Sequence, residues 1–155
     1  MNATEGWNWK DVLETAAFVV AALGLMYTAR GLLLTARTAR AQFWLQLRDQ
    51  FSRHDAVHQK LRPGGEWSES QGAPNSAAEW TALESYMGLF EHCEVMLADG
   101  LIDKKTFESI YAYRLRNIVS NQVIVREKLV ERRQGWMTFI ALLRRMSIEV
   151  PAQKA

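Results

Sequence analysis

The fold is decided by the stretch TAAFVVAALGLMYTARGLLL, residues 15–34, whose only charged residue is Arg30. As an α-helix, the uncharged part before Arg30 rises about 22 Å, which is less than the ~30 Å hydrocarbon core of a bilayer. An arginine near a helix end can extend to the lipid–water interface, so the helix can continue past it in the membrane. We therefore predict a transmembrane helix over residues 12–34, with Glu14 near its outer boundary.

The flanking residues favour a membrane anchor and indicate its orientation. Trp7 and Trp9 precede the apolar stretch and fit an interfacial aromatic belt. Between Glu14 and Asp49 the chain has several arginines and no acidic residue. Because positively charged flanks stay in the cytoplasm, residues 1–11 are predicted to be extracytoplasmic and the remainder cytoplasmic. The anchor and interface side chains are expected to be Trp7, Trp9, Phe18, Val19, Leu23, Leu25, Met26 and Arg30.

Three other interpretations of the apolar stretch compete with an anchor. A signal peptide would begin with a basic region, whereas residues 1–14 carry more acidic than basic side chains. A buried helix of a soluble domain stays open as an alternative, because the uncharged run is short. An in-plane amphipathic helix fits less well, since residues 16–26 are apolar on all sides.

The chain after the anchor, residues 35–148, has the pattern of an all-α domain. No proline or loop cluster interrupts it before Leu61, so the first helix is predicted to leave the membrane and end there, ahead of Pro63. A second helix is predicted to begin near Ser76, a good N-cap, and to end at Asp99-Gly100.

Two more helices are predicted before a flexible tail over residues 149–155. The third begins after Asp103 and runs to about Arg133, with Ser120-Asn121 as a point where it can kink. A short fourth helix covers residues 136–148. Because short connections place neighbouring helices antiparallel, the prediction is a cytoplasmic antiparallel bundle of three long helices and one short one.

Charge is distributed in blocks along these helices. Residues 63–103 carry eight acidic residues and neither lysine nor arginine, whereas residues 30–62 and 104–133 are both net basic. An acidic helix between two basic ones would select its neighbours through ion pairs. Each exposed pair contributes only ~0–1 kcal/mol, so the pattern is expected to set register more than to add stability.

The segment HDAVH places His54 and His58 four residues apart, on one face of a helix. This spacing can chelate zinc, with a third ligand such as Glu94 from the second helix. The simpler interpretation is a buried polar layer in which Glu94 hydrogen-bonds the histidines. Such a layer would also contain Arg114, Asn117 and Asn121, and would fix helix register.

The last helix is amphipathic and could contact either the bundle or the inner leaflet. Its apolar side carries Trp136, Phe139, Ile140 and Leu143, opposed by Arg144-Arg145. We expect it to pack on the bundle.

Several classes of chemistry find no support in the sequence. The single cysteine, Cys93, lies beside Glu91 and Glu94, which should raise its pKa and make it a poor nucleophile. Gly-rich phosphate loops and paired CxxC cysteines are absent. Basic doublets such as Lys104-Lys105 lack the interleaved aromatic residues of a nucleic-acid surface. We expect no catalytic residue, no cofactor and no nucleic-acid partner.

Three further stretches resemble an uncharacterised bacterial family of short single-pass membrane proteins with a helical cytoplasmic domain, known only as a domain of unknown function. They are FWLQLR at residues 43–48, LFEH at residues 89–92 and DGLID at residues 99–103. The resemblance implies a bacterial inner-membrane location, and it carries no catalytic residues.

The first functional hypothesis is a membrane-anchored, non-enzymatic interaction or scaffold protein, whose partners are the lipid bilayer and another protein or a second copy of the chain. A second hypothesis is a metal- or ligand-binding sensor that uses His54, His58 and a carboxylate of the second helix. A zinc hydrolase built on the same residues is a third, and it would need an open coordination position in a cleft.

Overall fold

The computed structural model describes residues 9–68 and 72–150, and every regular element within these ranges is helical. The chain separates into two compact units, Met1–Leu47 and Arg48–Ala155. Residues 35–47, which were predicted with the cytoplasmic domain, therefore belong to the first unit. Trp7 and the tail residues 151–155 lie outside the described residues, so the predictions made for them stay predictions.

The first helix, α1, spans Trp9–Ser52, and a short helix, α2, spans Asp55–Leu61. The prediction of one continuous helix to Leu61 is wrong. The chain turns at His54, whose backbone N–H donates to the carbonyl of Phe51 instead of continuing the α-helical pattern. No proline or glycine marks this turn. Its cause is tertiary: Phe51 is buried and its ring stacks on that of Tyr111, with centroids 4.2 Å apart.

The next two helices begin and end close to their predicted positions, because local chemistry marks each boundary. Helix α3 spans Ala77–Ala98, and the Ser76 side chain accepts a hydrogen bond from the backbone N–H of Glu79. Gly100 closes α3 with a φ of +69°, a conformation that glycine adopts without strain. Helix α4 spans Lys104–Val119 and begins at Asp103, which caps the N–H of Thr106.

The third predicted helix, expected to reach Arg133, is instead broken at Asn121. Its continuation consists of a short helix, α5 (Gln122–Ile124), a π-helical turn (Val125–Val130) and a 3₁₀ turn (Arg133–Trp136). Helix α6 then covers Met137–Arg145. The prediction of three long helices and one short one therefore undercounts the short elements.

Asn121 causes the break because its side chain forms hydrogen bonds to two segments at once. Its side-chain oxygen caps α5 by accepting from the N–H groups of Val123 and Ile124. Its amide nitrogen donates to the carbonyls of Trp67 and Gly72, both at 2.8 Å. The side chain is fully buried, so it joins the loop after α2 to the start of α5 in a site without competing water.

The core of the second unit is built around α3. One side of this helix is buried along its length, and α6 packs against it. Aromatic rings from three helices meet there: Phe90 of α3 contacts Phe51, Tyr86 and Phe139 within 4.9–6.2 Å between centroids. The expectation that the last helix packs on its neighbours is confirmed, since Phe139 and Leu143 are fully buried.

Replacement of Asn121 by alanine is expected to lower the free energy of unfolding by about 3 kcal/mol, because two carbonyls and the cap of α5 lose their partner in the interior. Asn121→Asp keeps the cap and loses both donors, so it should be at least as destabilising. Chemical denaturation monitored by circular dichroism measures both. An Asn117→Ala control, half-buried on α4, should change stability by less than ~0.5 kcal/mol; a similar loss in the control would contradict the role given to Asn121.

Candidate membrane anchor and polar clusters

The apolar side chains of α1 have no cover within the chain. By length and composition, the part of α1 from Val12 to Ser52 is the one helix among the described residues that could cross a membrane, and none of its most apolar window is buried. Arg30 is also exposed. The predicted anchor residues that the structure describes are all exposed on its surface: Trp9, Phe18, Val19, Leu23, Leu25 and Met26.

Three threonine hydroxyls of α1 are satisfied inside the helix itself. The hydroxyls of Thr28, Thr35 and Thr38 each donate to the carbonyl four residues earlier, at 2.9–3.1 Å. In a hydrocarbon environment a free hydroxyl would cost several kcal/mol, and this local bond removes the need for water. These three hydroxyls therefore need no further hydrogen-bond partner.

The carboxylates of α3 reach cations on three different elements of the second unit. Glu79 pairs with Lys60 of α2, Glu84 with Lys128 of the π-helical turn, and Glu94 with Arg145 of α6. The expectation that the acidic helix pairs with residues 30–62 and 104–133 is confirmed for Lys60 and Lys128, whereas Arg145 lies outside both predicted basic segments. Lys128 is buried and also lies 4.5 Å from the ring centroid of Trp80.

Glu94 is paired with Arg145 and not with His54 and His58, as the sequence had suggested. Its side chain is 8% exposed, and Arg145 donates to both carboxylate oxygens at 2.7–3.0 Å. Within residues 9–68 and 72–150 no three histidine, cysteine or acidic side chains lie close enough together to hold a metal ion. The three-ligand cluster with His54 and His58, and the layer in which Glu94 bonds these histidines, are therefore not formed.

Replacement of Arg145 measures how much the Glu94–Arg145 pair contributes to stability. Arg145→Ala leaves a buried carboxylate without its cation, and we expect a loss of about 2–3 kcal/mol in unfolding free energy. Arg144→Ala is the matched control, because Arg144 is exposed and forms no ion pair within the described residues. Denaturant titrations of the two variants should differ clearly; equal midpoints would show that the Glu94 pair contributes little.

The two histidines lie one turn apart, since the His58 N–H donates to the carbonyl of His54. His54 precedes α2, and its ring lies 5.7 Å from that of Tyr86. His58 lies within α2 and contacts Tyr113 edge-on. Burial lowers the pKa of both imidazoles, and the nearby guanidinium of Arg114 lowers the pKa of His58 further. Both histidines therefore favour the neutral form in the folded chain.

Arg114 organises the polar residues around α2 and α4. It donates to the Tyr113 hydroxyl at 3.0 Å and reaches Asp55 at 3.4 Å, while its guanidinium lies 5.5 Å from the ring centroid of Phe51. Burial raises the pKa of the enclosed Tyr86 hydroxyl, an effect that the nearby charge of Arg114 partly offsets. Asp55 and Tyr86 were not anticipated as members of this cluster; the Asp55–Arg114 pair joins residues far apart in the chain, and no spacing rule connects them.

The remaining members of the predicted polar layer are dispersed. Asn121 serves the loop after α2, and the Asn117 carbonyl accepts from Ser120. Cys93 is buried, and burial alone raises the pKa of its thiol to about 12. The expected direction is thus confirmed, but its cause is burial and not the neighbouring carboxylates.

The histidines predict a specific pH dependence. Their pKa values lie below the ordinary 6.5 in the folded chain, so below that pH the unfolded chain binds more protons and stability falls. A His54→Gln/His58→Gln variant should therefore lose less stability than the wild type between pH 7 and pH 5. His92→Gln, exposed on α3, is the control and should follow the wild type. Urea titrations between pH 7 and pH 5 measure the unfolding free energy of each protein. The same pH dependence in all three proteins would contradict the role given to His54 and His58.

No protein-family model, curated protein sequence or solved structure matches the chain.

Proposed function

We propose that this chain is a membrane-anchored, non-enzymatic interaction protein of the bacterial inner membrane. In this proposal α1 crosses the bilayer over residues 12–34, and the helical unit that follows faces the cytoplasm as an antiparallel bundle. The observation that carries the proposal is the absence of any cover, within the described chain, over the most apolar window of α1. A helix of the same composition in the core of a soluble protein would be mostly buried.

The charge pattern supports the orientation. Acidic residues outnumber basic ones before the anchor, whereas Arg37, Arg40 and Arg48 follow it without an intervening acidic residue. Arg30 would lie at the cytoplasmic end of the span, within reach of lipid phosphates. The partners in this proposal are the bilayer and either another protein or a second copy of the chain.

The helical unit is proposed as a binding module because two of its candidate reactive groups are occupied or enclosed. Glu94 is paired with Arg145, and the Cys93 thiol is buried with a raised pKa. A module of this kind would act by holding a partner at the membrane and not by chemical conversion.

Membrane anchorage is tested by fractionation of cells that express the full chain. We expect the protein to stay in the membrane pellet after extraction with alkaline carbonate. Leu23→Arg/Leu25→Arg should move it to the soluble or aggregated fraction, because each central arginine costs about 2.5–3.5 kcal/mol on insertion. Leu45→Arg, exposed but beyond the predicted span, should stay in the pellet. Release of the unmodified chain by carbonate would contradict the proposal.

Orientation and processing are tested with the same cells. A membrane-impermeant maleimide should label Asn2→Cys in intact spheroplasts and should label Ser85→Cys, exposed on α3, only after lysis. The buried Cys93 should not react in the folded chain. The opposite labelling pattern would reverse the orientation, and a purified chain whose mass lacks the N-terminal segment would identify a cleaved signal peptide instead.

A further inference from the structure

Arg114 of α4 is largely enclosed, yet its carboxylate partner among the described residues holds it loosely. Its side chain is 15% exposed, and both terminal nitrogens reach a single oxygen of Asp55, at 3.4 and 3.5 Å. Charge-assisted N–H···O bonds are usually about 2.7–2.9 Å long. The Asp55 side chain is itself 50% exposed, so water competes for its oxygens. Asp55 therefore neutralises Arg114 poorly.

A second arginine of the same unit shows what a well-formed pair looks like in this chain. Arg145 is 35% exposed, more than Arg114, and it donates to both oxygens of the enclosed Glu94 at 2.7–3.0 Å. The less enclosed arginine thus has the better ion pair. Because an enclosed charge costs free energy unless an opposite charge compensates it, Arg114 lacks the tightly bound anion that its enclosure calls for.

Two buried polar atoms near this pair have no hydrogen-bond partner of normal geometry in the part of the chain that the structure describes. They are the hydroxyl of Tyr86 in α3 and Nδ1 of His58 in α2. Burial is the main cause of the shifted pKa of both groups, and the charges of Arg114 and Asp55 also act on both. A phenol and a neutral imidazole each have one proton to donate. Three helices therefore bring donors close to the carboxylate of Asp55.

We propose that Arg114, Tyr86 and His58 bind the phosphate group of a small soluble ester, and that Asp55 occupies this site loosely in the free chain. The phosphate takes the place of the carboxylate when the half-exposed Asp55 side chain turns outward. Two of its oxygens accept from the planar guanidinium. A tetrahedral phosphate presents further oxygens to Tyr86 and His58, in directions that a planar carboxylate does not reach. The site lies in the second unit, so this inference does not depend on whether α1 crosses a membrane.

The test is a calorimetric titration of the full chain, purified in a neutral sugar detergent, with inorganic phosphate in chloride solution of constant ionic strength. The wild type should bind phosphate saturably. Asp55→Asn should bind it about threefold or more tightly, because the competing carboxylate is removed. Asp49→Asn removes the same charge from a 61% exposed side chain that pairs with Arg53, and its affinity should equal that of the wild type. Equal tightening in both variants would show a general effect of charge and overturn the proposal.

Two further variants test the donors. Arg114→Lys keeps the charge and loses the paired bonds, so it should weaken phosphate binding by about tenfold, whereas Arg116→Lys, exposed on the same helix, should bind normally. Tyr86→Phe removes a hydroxyl that has no partner in the free chain. Its unfolding free energy without phosphate should therefore not fall, while its phosphate affinity should fall about threefold or more. A folded Tyr86→Phe protein with wild-type affinity overturns the proposal.

Competition identifies the source of the bound anion. Glycerol phosphate should displace inorganic phosphate, whereas acetate at the same concentration and phosphatidylglycerol added to the micelles should not. Stronger binding of acetate would identify a carboxylate site, and displacement by phosphatidylglycerol would identify a site for lipid headgroups. Either result overturns the proposal, as does the absence of saturable phosphate binding by both the wild type and Asp55→Asn.

Discussion

Removal of apolar surface from water is the constraint on which both units of this chain depend. In the second unit the inner face of α3 meets it: Leu83, Met87 and Phe90 are fully buried among rings and aliphatic chains from the other elements. In the first unit none of the most apolar window of α1 is covered within the chain. Because such a surface is rarely left in water by a soluble monomer, the cover for α1 is expected from outside the chain.

Electrostatics then orders the elements around α3. Its carboxylates pair with α2, the π-helical turn and α6, so that one acidic helix holds three basic neighbours. The enclosed members of these pairs, Lys128 and Glu94, cost free energy to bury and repay it only with their partners in place. Such pairs select one arrangement of the helices more than they raise stability. Lys128 and Leu129 are neighbours in the π-helical turn, and both side chains are buried.

Where local chemistry determines the structure, the sequence alone was sufficient. Ser76, Asp103 and Gly100 mark helix ends through bonds to nearby backbone groups, and those boundaries were predicted correctly. The exposed apolar stretch of α1 was also evident from composition. The end of α1 at Ser52 was missed because no residue there disfavours a helix; the turn follows from the burial of Phe51 against Tyr111, far along the chain.

The polar clusters were likewise predictable only where they depend on residues close together in the chain. Glu94 was correctly placed on the inner side of its helix. Residue spacing could not show that its hydrogen-bond partner would be Arg145 and not a histidine. Asn121 was identified as a weak point of a helix, although its hydrogen bonds to Trp67 and Gly72 depend on a loop that no periodicity describes.

Lipid is proposed to cover α1, and the depth of individual positions in a bilayer tests this cover most directly. A spin label at Leu23→Cys, in a Cys93→Ala background, should be far more accessible to dissolved oxygen than to an aqueous nickel complex when the full chain is reconstituted in lipid vesicles. A label at Leu45→Cys, exposed on the same helix beyond the predicted span, should show the reverse preference. If the Leu23 label were as accessible to the nickel complex as the Leu45 label, this part of α1 would lie in water, and membrane anchorage by this helix would be refuted.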